Sequence, residues 1–242
     1  MQKLLMIFLL FWVSLMANEA EDIIAKLDQN LRGKNIYIEM SMKITSMGHT
    51  RTMKMKNWAQ GTKRSFVKTT YPPKDKGITF LSLDKQMWQY VPKIERVIKI
   101  PASMMLQNWM GSDITNDDVV RQSSLVDDYI PRILKKDGDI VTMELTAKEE
   151  AAVVWSKIVS KIDTSTYTSK EDLFYDEEDK VVRVFSYDKV KKVSGYFIAT
   201  YWRVQGVDKK DSFTEIFIDD VKYDIEISDQ YFRKSALKRF SR

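Results

Sequence analysis

The sequence predicts a β-rich α+β domain built on one long antiparallel sheet. Three observations carry that expectation. The 242 residues include 11 Phe, 11 Tyr and 6 Trp among a dense scatter of Val, Ile and Thr, side chains that suit a pleated, half-buried surface. Runs of alternating apolar and polar residues recur along the chain, separated by short turn signals rather than helix-length segments, which is the pattern of an antiparallel meander. The runs number about 10–12, more strands than an open sheet usually carries without curling, so the sheet is expected to wrap around something.

Elements follow in order. A first helix starts at Asn18 or just after it. Glu19, Glu21 and Asp22 lie near the positive end of its dipole, Ile23, Ile24, Leu27 and Leu31 form an apolar stripe, and Gly33 stops it. From Ile36 to Ile44, Ile36, Ile38, Met40, Met42 and Ile44 fall on one face, and Tyr37, Glu39, Ser41 and Lys43 on the other. Gly48-His49 marks a turn into a partner strand ending at Trp58, with Met53 and Met55 opposite Lys54 and Lys56. Further strands are expected at 63–70, 78–83, 86–91, 94–100, 139–146, 173–175, 181–187, 193–204, 213–218 and 221–227. Turns are expected at Pro72-Pro73, Asp84-Lys85, Pro92-Lys93, Asp137-Gly138, Asp176 to Asp179, Asp188 to Lys192, Asp208 to Asp211 and Asp219-Asp220.

The meander is interrupted once. Pro101 to Gly111 reads as a short, mostly apolar helix, begun by a proline and ended by a glycine. A second short helix follows, with Thr115 and Asp118 at capping-box spacing. In residues 150–163, Val154, Ile158 and Ile162 share both a helical spacing and a strand parity, and the β-branched content assigns a strand.

Composition excludes several function classes. With no Cys and a single His, the chain has no disulfide scaffold, thiol nucleophile, lipid-modified cysteine or Cys-ligated zinc, and no multi-His metal site. A net charge of +5 is too small to argue for nucleic acid. Met1-Gln-Lys3 followed by an apolar run from Leu4 to Met16 and the small Ala17 reads as an export signal; the run is shorter than the roughly 20 residues a spanning helix needs. Residues 1–17 are therefore expected to be a signal peptide cleaved near Ala17, and 18–242 a single domain in the bacterial periplasm.

The runs Met87-Trp-Gln-Tyr-Val-Pro-Lys-Ile-Glu-Arg-Val-Ile-Lys-Ile100, Met110-Gly-Ser-Asp-Ile-Thr-Asn-Asp-Asp118 and Ile227-Ser-Asp-Gln-Tyr-Phe232 resemble the outer-membrane lipoprotein-sorting family, the LolA-like proteins, of which this chain looks like a divergent member. The resemblance implies a strongly curved half-barrel whose concave face is covered by helices over a hydrophobic cavity for acyl chains. It implies no enzyme activity, cofactor or metal, and it names lipid or lipoprotein acyl chains and an inner-membrane transporter as partners of a monomer.

The residues meet that implication from their own side. One helix and two short ones are little material to fill a long curved sheet, so an apolar cavity should remain. All the methionines but Met1, Met6 and Met16 lie outside the leader; a flexible, polarizable side chain suits variable apolar cargo. Met40, Met42, Met53, Met55, Trp88, Met104, Met105, Leu106, Trp109 and Met110 are accordingly the candidate cavity and lid, with the segment 101–111 as the lid helix. The paired carboxylates Asp117-Asp118, Asp127-Asp128 and Asp219-Asp220 could serve hydrolysis or calcium, but they fit solvated caps and turns better. The basic groups Lys93, Arg96, Lys99, Lys234, Lys238, Arg239 and Arg242 could meet anionic head groups or water alone. The function expected is a periplasmic lipid or lipoprotein carrier; the alternative is an interaction or envelope-stress sensor module on the same sheet.

Overall fold

The computed structural model describes residues 19–84, 86–120, 125–151 and 153–242; the expected leader 1–17 and the helix start at Asn18 lie outside them. Residues 19–32 form helix α1. The strands are β1 (Asn35–Ser46), β2 (His49–Gln60), β3 (Arg64–Tyr71), β4 (Thr79–Leu83), β5 (Gln86–Val91), β6 (Arg96–Ile100), β7 (Tyr129–Asp137), β8 (Ile140–Ala147), β9 (Lys157–Asp163), β10 (Thr168–Tyr175), β11 (Val181–Val193), β12 (Tyr196–Gly206) and β13 (Phe213–Tyr223). Short helices α2 (Asn116–Val120) and α3 (Leu125–Asp128) lie in the crossover between β6 and β7, and α4 (Lys234–Arg239) ends the chain.

All 13 strands form one antiparallel sheet in the order β6-β5-β4-β3-β2-β1-β13-β12-β11-β10-β9-β8-β7. Every ladder joins sequence neighbours except the central one, where β1 pairs with β13 as well as β2, and the consecutive strands β6 and β7 do not pair. The sheet is not closed: β6 and β7 are its two edges.

Three apolar clusters hold it together. On one face, α1 lays Ala20, Ile23, Ile24 and Leu27 on Val141, Met143, Leu145, Ile158 and Ile162 of β8 and β9. Its C-terminal end is pinned by Asn30, whose amide donates to the carbonyls of Thr166 and Tyr167 and whose side-chain oxygen accepts from the Phe197 N–H. Gly33 then turns the chain at φ +54°, in a place where a Cβ would stand 2.8 Å from the Asp224 carboxylate, so a side chain is excluded both sterically and conformationally. On the same face of the other half, Met42, Ile44, Met53, Met55, Phe80 and Met87 pack under the crossover segment. On the opposite face, Leu237 and Ala236 of α4 cover Phe66, Leu81, Trp88 and Tyr90, and Tyr231 stacks between Trp58 at 4.7 Å and Phe240 at 4.5 Å. The closing motif of the sequence is thus a clamp on the back of the sheet.

Several expected elements take another form. Pro101 to Gly111 is not a helix: Ala102–Met104 and Trp109–Gly111 are single 3-10 turns. Met110 at φ +52° and Gly111 at φ +71° reverse the backbone, which an α-helix does not allow, and Asn108 bridges back to Thr115. The expected turn at Asp188 to Lys192 is strand, the register running through from Asp188 against Tyr201 to Val190 against Ala199, and the chain reverses at Ser194-Gly195. Asp219-Asp220 is a bulge inside β13, opposite the Glu39/Met40 step of β1, so 213–218 and 221–227 are one strand that ends at Tyr223. Only Lys157–Asp163 of 150–163 is strand. β7, residues 168–172 of β10 and α4 were not expected, and β7 is the strand with no expected counterpart.

Candidate functional site: a cavity in the hollow of the sheet

Met40, Met42, Met53, Met55 and Trp109 share one packed core, with Met104, Met105 and Met110 laid on it by the crossover. Trp109 meets Phe80 at 5.2 Å. Leu106 points outward and is 59% exposed, and Trp88 lies on the opposite face under α4. None of these ten residues lines the cavity. The reason is steric: without a helix to stand off the sheet, the crossover lies flat on the methionine face and fills it. A correction follows for the lid, since 101–111 is a packed loop rather than a lid helix.

The cavity lies beside that plug, between the methionine core and α1. It has a volume of about 250 Å³. Ile36, Ile38, Asn57 and Ala59 of β1 and β2 form one wall; Ile158, Phe174, Phe185, Ile198 and Trp202 of β9–β12 form the facing wall; Leu27 and Leu31 of α1 form the roof. Strands from both halves of the sheet line one space, which requires the sheet to curve around it. Gly61 to Arg64, in the β2–β3 turn and the start of β3, stand beside the C-terminal end of α1 along its border.

The Met110–Asp118 motif sets the inner side of this space. Asp118 closes a capping box with Thr115, accepting from its N–H at 2.7 Å and its hydroxyl at 2.8 Å. The same carboxylate takes both terminal nitrogens of Arg183 on β11, at 2.6 and 2.7 Å. Arg183 is only 4% exposed; its guanidinium lies 4.4 Å from the Trp155 ring, 4.8 Å from Phe174 and 5.0 Å from Phe185. Asp113 is held separately, its N–H donating to the Thr214 hydroxyl and its carboxylate accepting from it. Asn116 donates to the Met104 carbonyl at 2.9 Å. The motif is therefore a latch that fastens the crossover to β11 and β13, and Asp118 is spent on it rather than free for hydrolysis.

A second polar group lies on the wall itself. Asp172 on β10 is 9% exposed and accepts a 2.7 Å hydrogen bond from the Tyr187 hydroxyl. Burial raises its carboxyl above the usual carboxylate range, more than the facing hydroxyls of Ser160, Tyr187 and Ser169 lower it. Burial and the nearby Asp172 charge together push the Tyr187 hydroxyl well above its ordinary value. Sequence reading passed over this pair; the signal was a strand parity placing Asp172 and Phe174, then Phe185 and Tyr187, on one face.

Asp117 and Asp128, expected as solvated caps, are instead buried at the border of the cavity, whereas the remaining candidates stand at the surface. Asp176 caps its own turn, accepting from the N–H groups of Glu178 and Lys180, Asp219 accepts from the Ser41 hydroxyl, and His49 is exposed at the β1–β2 hairpin. Among the described residues no three His, Cys, Asp or Glu side chains are grouped to hold a metal, and no helix is long and apolar enough to cross a membrane.

No curated protein matches the sequence. A family model described as an uncharacterized protein matches residues 61–239. Among solved structures, a DUF1329 family protein from Desulfovibrio piger is 25% identical, with a TM-score of 0.83 over 92% of this chain and 99% of that one. A domain described as an outer membrane lipoprotein-sorting protein from Vibrio parahaemolyticus is 19% identical, with a TM-score of 0.79 over 92% of this chain and 100% of that one. A LolA superfamily protein from Nitrosomonas europaea is 18% identical, with a TM-score of 0.76 over 90% of this chain and 98% of that one. The chain therefore has a LolA-like fold, and it belongs to the family, described as an uncharacterized protein, whose model spans residues 61–239.

Proposed function

We propose that this protein is an exported carrier that shelters the acyl chain of a lipid or lipid-modified protein while it moves between the membranes of the envelope. The observation that carries the reading is the cavity: about 250 Å³ of mostly apolar space between α1, the crossover and β9–β12 that the chain does not fill with its own side chains. Ligand pockets of drug-sized molecules run to roughly 300–1,000 Å³, so the space as it stands suits a short acyl segment. A longer chain requires α1 or the crossover to move outward. Sheltering contributes about 0.8 kcal/mol per methylene removed from water, and release then depends on an acceptor that holds the chain comparably well.

Native mass spectrometry of protein purified without detergent, followed by extraction of bound material, tests the reading. Co-purifying lipid, or saturable uptake of a fluorescent fatty acid by delipidated protein, is the expected result. No bound lipid and no uptake would refute it.

A further inference from the structure

The wall formed by β9–β11 is not the plain apolar surface that an acyl chain alone would select. The Asp172 carboxylate is more than nine-tenths buried and lines the cavity. Its Oδ2 accepts from Tyr187, whereas Oδ1 has no hydrogen-bond partner. The Ser160 and Ser169 hydroxyls lower the carboxyl as hydrogen-bonding neighbours of the group, while Oδ1 itself is left without a partner. A buried acceptor left open is unfavourable until a donor reaches it. Around it, Phe174, Phe185 and Trp202 present aromatic faces to the same space.

We infer that Asp172 is the acceptor of a polar subsite inside the cavity, and that the cargo is an amphiphile carrying a hydrogen-bond donor, a hydroxyl or an ammonium, on an otherwise aliphatic body. The donor meets Oδ1 while the body lies against the aromatic wall. Tyr187 holds the carboxyl in place through its other oxygen; Oδ1 is itself covered, so the donor reaches it as the entering cargo shifts the side chains beside it. A cargo presenting only acceptors, such as an ester, leaves Oδ1 unmet and sets two acceptors against each other. The inference rests on the carrier reading and narrows it from acyl chains in general to those bearing a donor.

The test uses delipidated protein titrated with three ligands of equal chain length: dodecanol, dodecylamine and methyl dodecanoate. Quenching or shift of tryptophan emission reports binding, since Trp155 and Trp202 line the cavity. The alcohol and the amine should bind roughly ten-fold more tightly than the ester. Asp172→Asn should abolish the preference for the amine and improve binding of the ester. With Tyr187 still donating to the amide oxygen, the new NH2 turns to the space as a donor. The wild-type series stands as a test even if the variant folds poorly. Equal binding of all three ligands to the wild-type protein would overturn the subsite and leave the carrier reading in place. Binding of none would overturn both.

Discussion

Removing the Asp118 carboxylate tests whether the crossover is latched as described. In Asp118→Ala the Arg183 guanidinium stays buried, since the side chains of the pair are 5% and 16% exposed, and it keeps only the Asp113 carbonyl at 3.2 Å and three ring faces. Breaking one partner of a buried pair costs about 3–5 kcal/mol. The aromatic faces keep part of the cation's stabilisation, on the order of 1–2 kcal/mol, and loss of the Thr115 capping box adds about 1 kcal/mol. The net loss is about 3 kcal/mol, which for a domain of this size lowers Tm by roughly 6–12 °C. Arg183→Met in the same chain should restore about 2 kcal/mol, because no charge is then left unpaired, and the cap loss should remain. Urea and thermal unfolding of the two single variants and the double variant give the coupling. A double variant whose loss is the sum of the singles within about 0.5 kcal/mol would refute the latch.

Two further outcomes are expected. Met53→Ala, at a position 0% exposed in the packed methionine core, should lower stability by about 2–5 kcal/mol without changing fatty-acid uptake per folded molecule; impaired uptake would return the methionine face to the binding site. The raised Asp172 carboxyl makes the folded state hold that proton more tightly than the unfolded chain does, so its contribution to stability is full below the ordinary carboxylate range and is lost as pH rises through the folded value. Asp172→Asn removes this loss, and the gap in urea midpoint between variant and wild type should widen in the variant's favour from acid to neutral pH; a gap that stays constant would contradict the sign.

The sequence was most legible where one face is dry and the other wet. Ile36 to Ile44 and Met53 to Met55 alternate because β1 and β2 bury one face under the crossover and α1. The Thr115–Asp118 box was readable because its chemistry is local. The methionine-rich segment misled for a physical reason: apolar content says that a surface will be covered, but Met110 and Gly111 at positive φ determine that a flat loop covers it. β7 hid as an edge strand carrying Pro131, Lys135 and Lys136, residues an edge tolerates and an interior strand does not. The first part of β10, 168–172, hid because its inward side is partly polar, with Asp172 where an apolar residue would mark a strand. The cavity wall was invisible as a motif because Asn57, Asp172 and Trp202 come from strands far apart in the chain.

The central β1–β13 pairing sets an order of events for the growing chain. Every other ladder joins strands adjacent in sequence, so β2 to β6 and β7 to β12 can each zip up locally, as hairpins do within microseconds. Residues 36–45 pair with 213–223, across nearly the whole chain, and the closing entropy of so long a loop must be met before any contact of that ladder forms. The first strand to emerge therefore acquires its second neighbour last. Until then one long margin of β1 stays open, with the methionines of β1 and β2 beside it. A chain released before β13 is complete would present two half-sheets with no seam between them, which makes the final ladder the step at which a chaperone would gain most by holding on.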